Sequence, residues 1–240
     1  MKLKGGVIII GSLIWEDHLE DDKKDNIRKN WRIQNLLEKQ KIQTKVPIRY
    51  GRKSSTRFDT YSMVFSKTCE TTLGQGLILP FNKDIITFEE IKRQAFALAY
   101  AEGIYKKKES LTSKWGSVGL LINPQLINTD SATCELVKMK WKDIYSNYQA
   151  TFLASNYRIN DDEESVITQN GFLNISWQKE MDAFDILIAT PVIPKPNQIL
   201  TSEEIADKMI EKKYCTYFKQ NRENNIKTYQ DDEILNHLPN

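Results

Sequence analysis

Val7-Ile8-Ile9-Ile10 is an unbroken β-branched apolar run, which predicts a strand covered on both faces. Gly11-Ser12-Leu13-Ile14-Trp15 follows at once, so the strand is expected to end in a turn with free backbone N–H groups. Glu16 to Lys24 is strongly acidic. Beyond it, Ile27, Trp31, Leu36 and Leu37 form an approximate apolar stripe that predicts a helix over Asn26 to Lys41. Val46 to Arg57 (VPIRYGRKSSTR) reads as a cationic loop leading into an alternating strand at Tyr61 to Phe65. Leu77 to Leu79 is a further short strand closed by Pro80.

The clearest helix is Ile86 to Tyr105. Thr87 and Glu90 have capping-box spacing, Ile86 and Ile91 flank them as a hydrophobic staple, and Gly103 is placed to stop the helix. Val118 to Ile122 predicts a strand ended by Asn123-Pro124. Lys138 to Ala154 places Trp141, Tyr145, Tyr148 and Phe152 at helical spacing, a pattern that packing into a core requires. Asn156 to Asn170 is polar and predicts a surface loop, with strands at Gly171 to Trp177 and Phe184 to Thr190. Pro191, Pro194 and Pro196 forbid regular structure and predict a rigid linker. Thr201, Glu204, Leu200 and Ile205 repeat the capping box and staple of the earlier helix. Asn221 to Asn240 is polar and predicts a loosely packed tail or a partner-binding segment.

Helices and strands are intermingled, so the pattern predicts one domain over residues 1–240 of mixed α/β or α+β class. A ligand-binding core is expected over 1–125 and an elaboration over 126–240. Apolar residues make up 40% of the chain, enough for a sizeable core, and the net charge of +2 is too small to predict nucleic-acid or membrane binding by itself. Cys69, Cys134 and Cys215 are odd in number and form no CxxC pair, which argues for structural thiols in a reducing, cytoplasmic compartment. His18 and His237 are the only histidines, too few for a zinc site or an easily built Ser-His-Asp triad. No apolar run is long enough for a signal or membrane span.

Four constellations carry candidate chemistry. Gly11, Ser12 and Leu13 can present backbone amides to a carboxylate or phosphate, unless they form only an ordinary tight turn. Arg49, Arg52 and Arg57 supply paired planar donors for the same groups, Ser54 and Ser55 add hydroxyls, and Tyr50 and Tyr61 could stack on a planar ligand; a solvated basic loop is the plain alternative. Glu102 lies about three turns past Ile91 on the apolar face of its helix, where burial and the negative helix end both raise a carboxyl pKa toward the range useful for proton transfer. Glu180, Asp182 and Asp185 before the late strand are a weak candidate for a magnesium site, and no metal or cofactor is expected.

The apolar strand followed by Gly11-Ser12-Leu13-Ile14-Trp15 resembles the Gly-Ser-Leu loop of the γ-glutamylcyclotransferase-like proteins, nearest to the glutathione-degrading ChaC branch. Arg52, Ser54 or Ser55, and Arg57 are similar in kind and order to that branch's arginine, serine and second arginine. Glu102-Gly103 with Tyr105 resembles its Glu-Gly segment. Ile10 stands where the family carries tyrosine, and the likeness covers roughly residues 7–105. The resemblance implies a mixed β-barrel or sheet flanked by helices, a loop that binds the substrate's α-amino acid end, and Glu102 as acid/base. The implied reaction is cyclisation of a γ-glutamyl group to 5-oxoproline without metal or cofactor. The favoured expectation is therefore an enzyme holding a small anionic ligand. Less favoured are a nucleotide or nucleic-acid binder using Arg49, Arg52, Lys53 and Arg57, and a protein-interaction module of a defence or mobile-element system using the polar tail.

Overall fold

In the computed structural model, residues 1–18, 26–148 and 152–239 are described. Part of the acidic run to Lys24, and positions 149–151 of the aromatic stretch, lie outside the described residues. The first half of the chain runs β1 (Gly5–Ile9), α1 (Ile27–Asn35), β2 (Ile42–Val46), β3 (Ile48–Ser54), β4 (Thr60–Phe65), β5 (Gly74–Pro80) and α2 (Phe88–Glu102). The second runs β6 (Gly119–Ile122), α3 (Leu126–Thr129), α4 (Ser131–Tyr148), β7 (Ile186–Ala189), α5 (Ser202–Lys212), α6 (Thr216–Glu223) and α7 (Asp231–His237).

β1 sits at the centre of a five-stranded sheet of order β2-β5-β1-β7-β6, antiparallel to β5 and parallel to β7. Every residue of β1 is buried, as its unbroken apolar sequence requires. β3 and β4 form a separate antiparallel hairpin. Both sheets are open, and with their flanking helices they make a mixed α+β fold. One hydrophobic core runs from Leu3 to Ile234, and β7 is inserted between β1 and β6, so residues beyond 125 complete the first half's sheet. Among the described residues no helix is long and apolar enough to cross a membrane.

The helix-start signals are realised in hydrogen bonds. Glu90 N donates to Thr87 Oγ1 at 3.3 Å, while Glu90 Oε2 accepts from Thr87 N at 3.1 Å. Glu204 N and Thr201 make the same reciprocal pair at 3.1 and 2.7 Å. Leu200 and Ile205 are buried as a staple, but Ile86, the expected partner of Ile91, is 58% exposed. Gly103 adopts φ 80°, the left-handed conformation that ends α2 after Glu102.

Several expectations are corrected. The helix predicted to Lys41 stops at Asn35: Leu36 turns extended to pair with Phe81, and Leu37 N bonds Pro80 O at 2.9 Å. The buried face of α1 is Arg28, Trp31, Arg32 and Asn35, not an aliphatic stripe. The cationic stretch is mainly strand, because β3 finds β4 on one side and residues 193–195 on the other, with Lys53 N on Lys195 O at 2.7 Å. The proline segment is therefore an edge cover as well as a connector.

Residues 171–177 form no strand; Phe172 and Leu173 make single bridges to Leu120 and Ile167. The loop 156–170 is anchored by Glu163, which accepts from Ser66 Oγ, Thr68 N and Ile159 N at 2.9, 3.1 and 2.6 Å. The predicted loose tail is instead packed. Ile226 and Ile234 are fully buried, and Gln230 Nε2 reaches Leu200 O at 2.7 Å.

Candidate functional site

Where β1 ends, Ser12–Ile14 closes into a single 3-10 turn, with Trp15 N and Glu16 N both returning to Ser12 O at 3.1 and 2.8 Å. α1 lies against this turn with its arginine face. Arg32 Nη1 donates to Leu13 O at 2.6 Å and to Glu16 O at 3.0 Å, which fixes the turn's backbone. Arg28, four residues earlier and thus on the same face, spans the site. Its Nε donates to Ala101 O at 3.2 Å, its Nη1 to Ser12 Oγ at 3.1 Å and to the Glu16 carboxylate, and its Nη2 lies 3.5 Å from Glu102 Oε2.

Arg57 enters from the hairpin. Its Nη2 donates to Ser12 Oγ at 2.9 Å and lies 3.3 Å from Glu16 Oε2, and its Nη1 reaches Ser54 Oγ at 3.3 Å. Its guanidinium stacks over the Tyr217 ring, 4.6 Å from the centroid, a favourable cation–π geometry. Tyr217 comes from α6, and its hydroxyl accepts from Met63 N at 3.2 Å.

These groups surround a cavity of about 380 Å³, a volume suited to a small ligand. Gly11, Ser12, Leu13, Arg52, Ser54, Ser55, Arg57 and Glu102 all line it, so the turn, part of the cationic segment and the helix-end carboxyl border one cavity. Its lining includes five cationic side chains, Arg28, Arg52, Lys53, Arg57 and Lys106, against one carboxylate, Glu102. Trp115 and Val192 line it as well; Trp115 O accepts from Ile193 N at 2.8 Å, and Ile193 O accepts from Arg52 Nη1 at 2.6 Å, so these residues form one connected stretch of wall.

The Glu102 side chain is 17% exposed, and its carboxyl pKa is raised above the ordinary value. Burial is the main cause; Arg28 and Arg57 oppose it, and the nearby Glu16 carboxylate reinforces it. The Thr190 hydroxyl is near enough to favour the ionised form slightly, without reaching full hydrogen-bond geometry. Burial also raises the Tyr217 phenol and lowers the Arg52 guanidinium.

Arg49, Tyr50 and Tyr61 do not line the cavity. Arg49 and Tyr50 are fully buried, the first with Nε on Ser66 Oγ at 3.1 Å, the second against Phe218 with ring centroids 6.3 Å apart. Neither can therefore meet a phosphate or stack on a base. The register of the hairpin shifts between Tyr50 and Arg52, the point along β3 where buried side chains give way to cavity-lining ones. Tyr61 pairs across the hairpin with Lys53. Of the acidic trio, Asp185 accepts from Lys4 N at 2.7 Å and Asp182 from Trp177 Nε1 at 2.9 Å. Among the described residues no cluster of three or more His, Cys, Asp or Glu is placed to hold a metal.

Sequence reasoning missed Glu16, Arg28 and Tyr217. Arg28 and Arg32 had a usable signal, since they share a helix face with Trp31 and Asn35; Tyr217, 206 residues from Gly11, had none. Compared with family models, curated proteins and solved structures, the chain matches none.

Proposed function

We propose that this cavity binds a small ligand through an anionic group and that Glu102 exchanges protons with it in a reaction of γ-glutamylcyclotransferase type. The observation that carries the reading is the position of one guanidinium. Arg28 touches the Ser12 hydroxyl with one terminal nitrogen and the Glu102 carboxylate with the other, across a cavity whose lining is strongly cationic. An anchor for an anion and a desolvated acid/base thus lie within reach of one small molecule.

In the proposed reaction the α-amino nitrogen of a γ-glutamyl amide attacks its own γ-carbonyl carbon. The new C–N bond closes a five-membered lactam, and the amide bond to the leaving amine breaks. Glu102 takes the proton from the attacking nitrogen and returns it to the departing one, so no external reductant, oxidant or metal enters the balance. The lining arginines hold the substrate carboxylate, and the Trp115 and Val192 stretch of wall receives the amine portion. A reducing, cytoplasmic setting accompanies this reading, with Cys69 and Cys134 as buried free thiols.

The test is formation of 5-oxoproline from a panel of γ-glutamyl compounds, glutathione included, by the wild type and Glu102→Gln. The variant is expected to bind substrate and to lose about 10²–10⁴-fold in turnover, the usual contribution of a positioned acid/base. Equal turnover removes Glu102 from the reaction, and no product from any panel member removes the reaction.

A further inference from the structure

Glu16 does not itself line the cavity. Its carboxylate nevertheless contacts two of the three arginines that do: Arg28 Nη1, and Arg57 Nη2 at 3.3 Å. Both arginines also donate to a single acceptor, Ser12 Oγ. Glu16 and Ser12 thus draw two guanidiniums, arriving from α1 and from the end of the β3–β4 hairpin, to one side of the cavity. Only one of the two, Arg28, is in ion-pair range of Glu102, at the long distance of 3.5 Å. Coulomb attraction falls with distance, so a guanidinium drawn onto Glu16 stabilises the Glu102 carboxylate less than one free to approach it.

We infer that Glu16 is a positioning residue for the cavity: by holding Arg28 and Arg57 against the Ser12 turn it limits the positive charge that reaches Glu102, and so keeps Glu102 able to carry a proton. The inference rests on the reading of Glu102 as the proton carrier. The groups facing Glu102 are Arg28 from α1, Arg57 from the hairpin, Glu16 from the turn after β1, Thr190 from the end of β7 and Tyr217 from α6. Lys106, beyond the end of α2, lines the same cavity. Among these, Glu16 is the other carboxylate, so its charge directly opposes ionisation of Glu102, and its loss also releases two cations toward Glu102. Both effects lower the Glu102 pKa.

The experiment is a carbon-13 carboxyl NMR titration of the full chain labelled at glutamate, with the Glu102 signal assigned by its disappearance in Glu102→Gln. In Glu16→Gln the Glu102 midpoint is expected to fall by about one unit or more, the size of effect an approaching arginine produces. Glu16→Ala, a smaller neutral side chain at a 23% exposed site, is expected to do the same and repeats the test should the glutamine not be accommodated. With substrate present, the acid limb of the pH–rate profile should move in the same direction. A Glu102 titration that stays at its wild-type position in either folded variant overturns the inference, whatever the turnover. A shifted titration in a chain that forms no 5-oxoproline would retire the proposed reaction and leave the role of Glu16 standing.

Discussion

Gly11→Ala combined with Tyr217→Phe tests whether α6 is built into the Gly-Ser turn. A Cβ at Gly11 would stand 2.6 Å from Tyr217 Oη but 3.6 Å from Cζ, so the clash is with the hydroxyl and not with the ring. Gly11 has φ −168°, extended backbone open to any residue, so alanine brings no conformational strain and the cost is steric alone. Tyr217 cannot simply retreat. Its hydroxyl is bonded to Met63 N, its ring carries Arg57, and its edge meets Trp15 with centroids 6.2 Å apart. Forcing a methyl into such packing costs about 1–3 kcal/mol. Tyr217→Phe leaves the Met63 N–H without its acceptor, for about 1–3 kcal/mol. Once the hydroxyl is gone, the alanine methyl meets Cζ at an ordinary van der Waals distance. The double variant should therefore be more stable than the sum of the single losses predicts, by about 1 kcal/mol or more. Urea unfolding measures all four corners of the cycle, and thermal midpoints should follow at about 2–4 °C per kcal/mol for a chain of this size. Strictly additive losses would show that the Tyr217 hydroxyl does not approach Gly11, and would remove α6 from the cavity.

Two other predictions concern charge and backbone. Glu102 and Asp231 both have raised folded-state carboxyl pKa values, chiefly through burial, so the folded chain holds these protons more tightly than the unfolded chain. Their stabilising contribution is complete below the ordinary carboxylate values of 4.5 and 3.8 and is lost as pH rises through the folded values. Glu102→Gln should accordingly gain stability relative to wild type as pH rises above the ordinary carboxylate value of 4.5, read by urea unfolding; a difference independent of pH would contradict the shift. Gly171→Ala should cost at least about 3 kcal/mol, because Gly171 has φ +77° and its Cβ would fall 2.1 Å from Cε2 of Tyr145, a fully packed ring. A purified Gly171→Ala protein with wild-type urea midpoint would refute that geometry.

Apart from the Ile86–Ile91 staple, local signals in the sequence held where one segment supplied all the partners. The capping boxes at Thr87 and Thr201, the stop at Gly103 and the covered strand at β1 each follow from contacts within a few residues or from uniform apolarity. Prediction failed where a distant segment decided the outcome. α1 ends early because Leu36 gains a partner in Phe81, β3 becomes strand because Lys195 and β4 take its backbone groups, and the polar tail packs because Ile226 and Ile234 find the core.

The same division runs through the candidate site. From the sequence alone came Gly11, Ser12, Leu13, Arg52, Ser54, Ser55, Arg57 and Glu102, each named by its own chemistry, and all of them line one cavity. Tertiary structure alone decided that Arg49 and Tyr50 are buried away from it, and that Glu16, Arg28 and Tyr217 belong with it. A residue's type and local periodicity fix what it can donate, accept or bury. Which charges neutralise one another depends on ångström-scale separations between segments up to two hundred residues apart, and only the packed chain sets those.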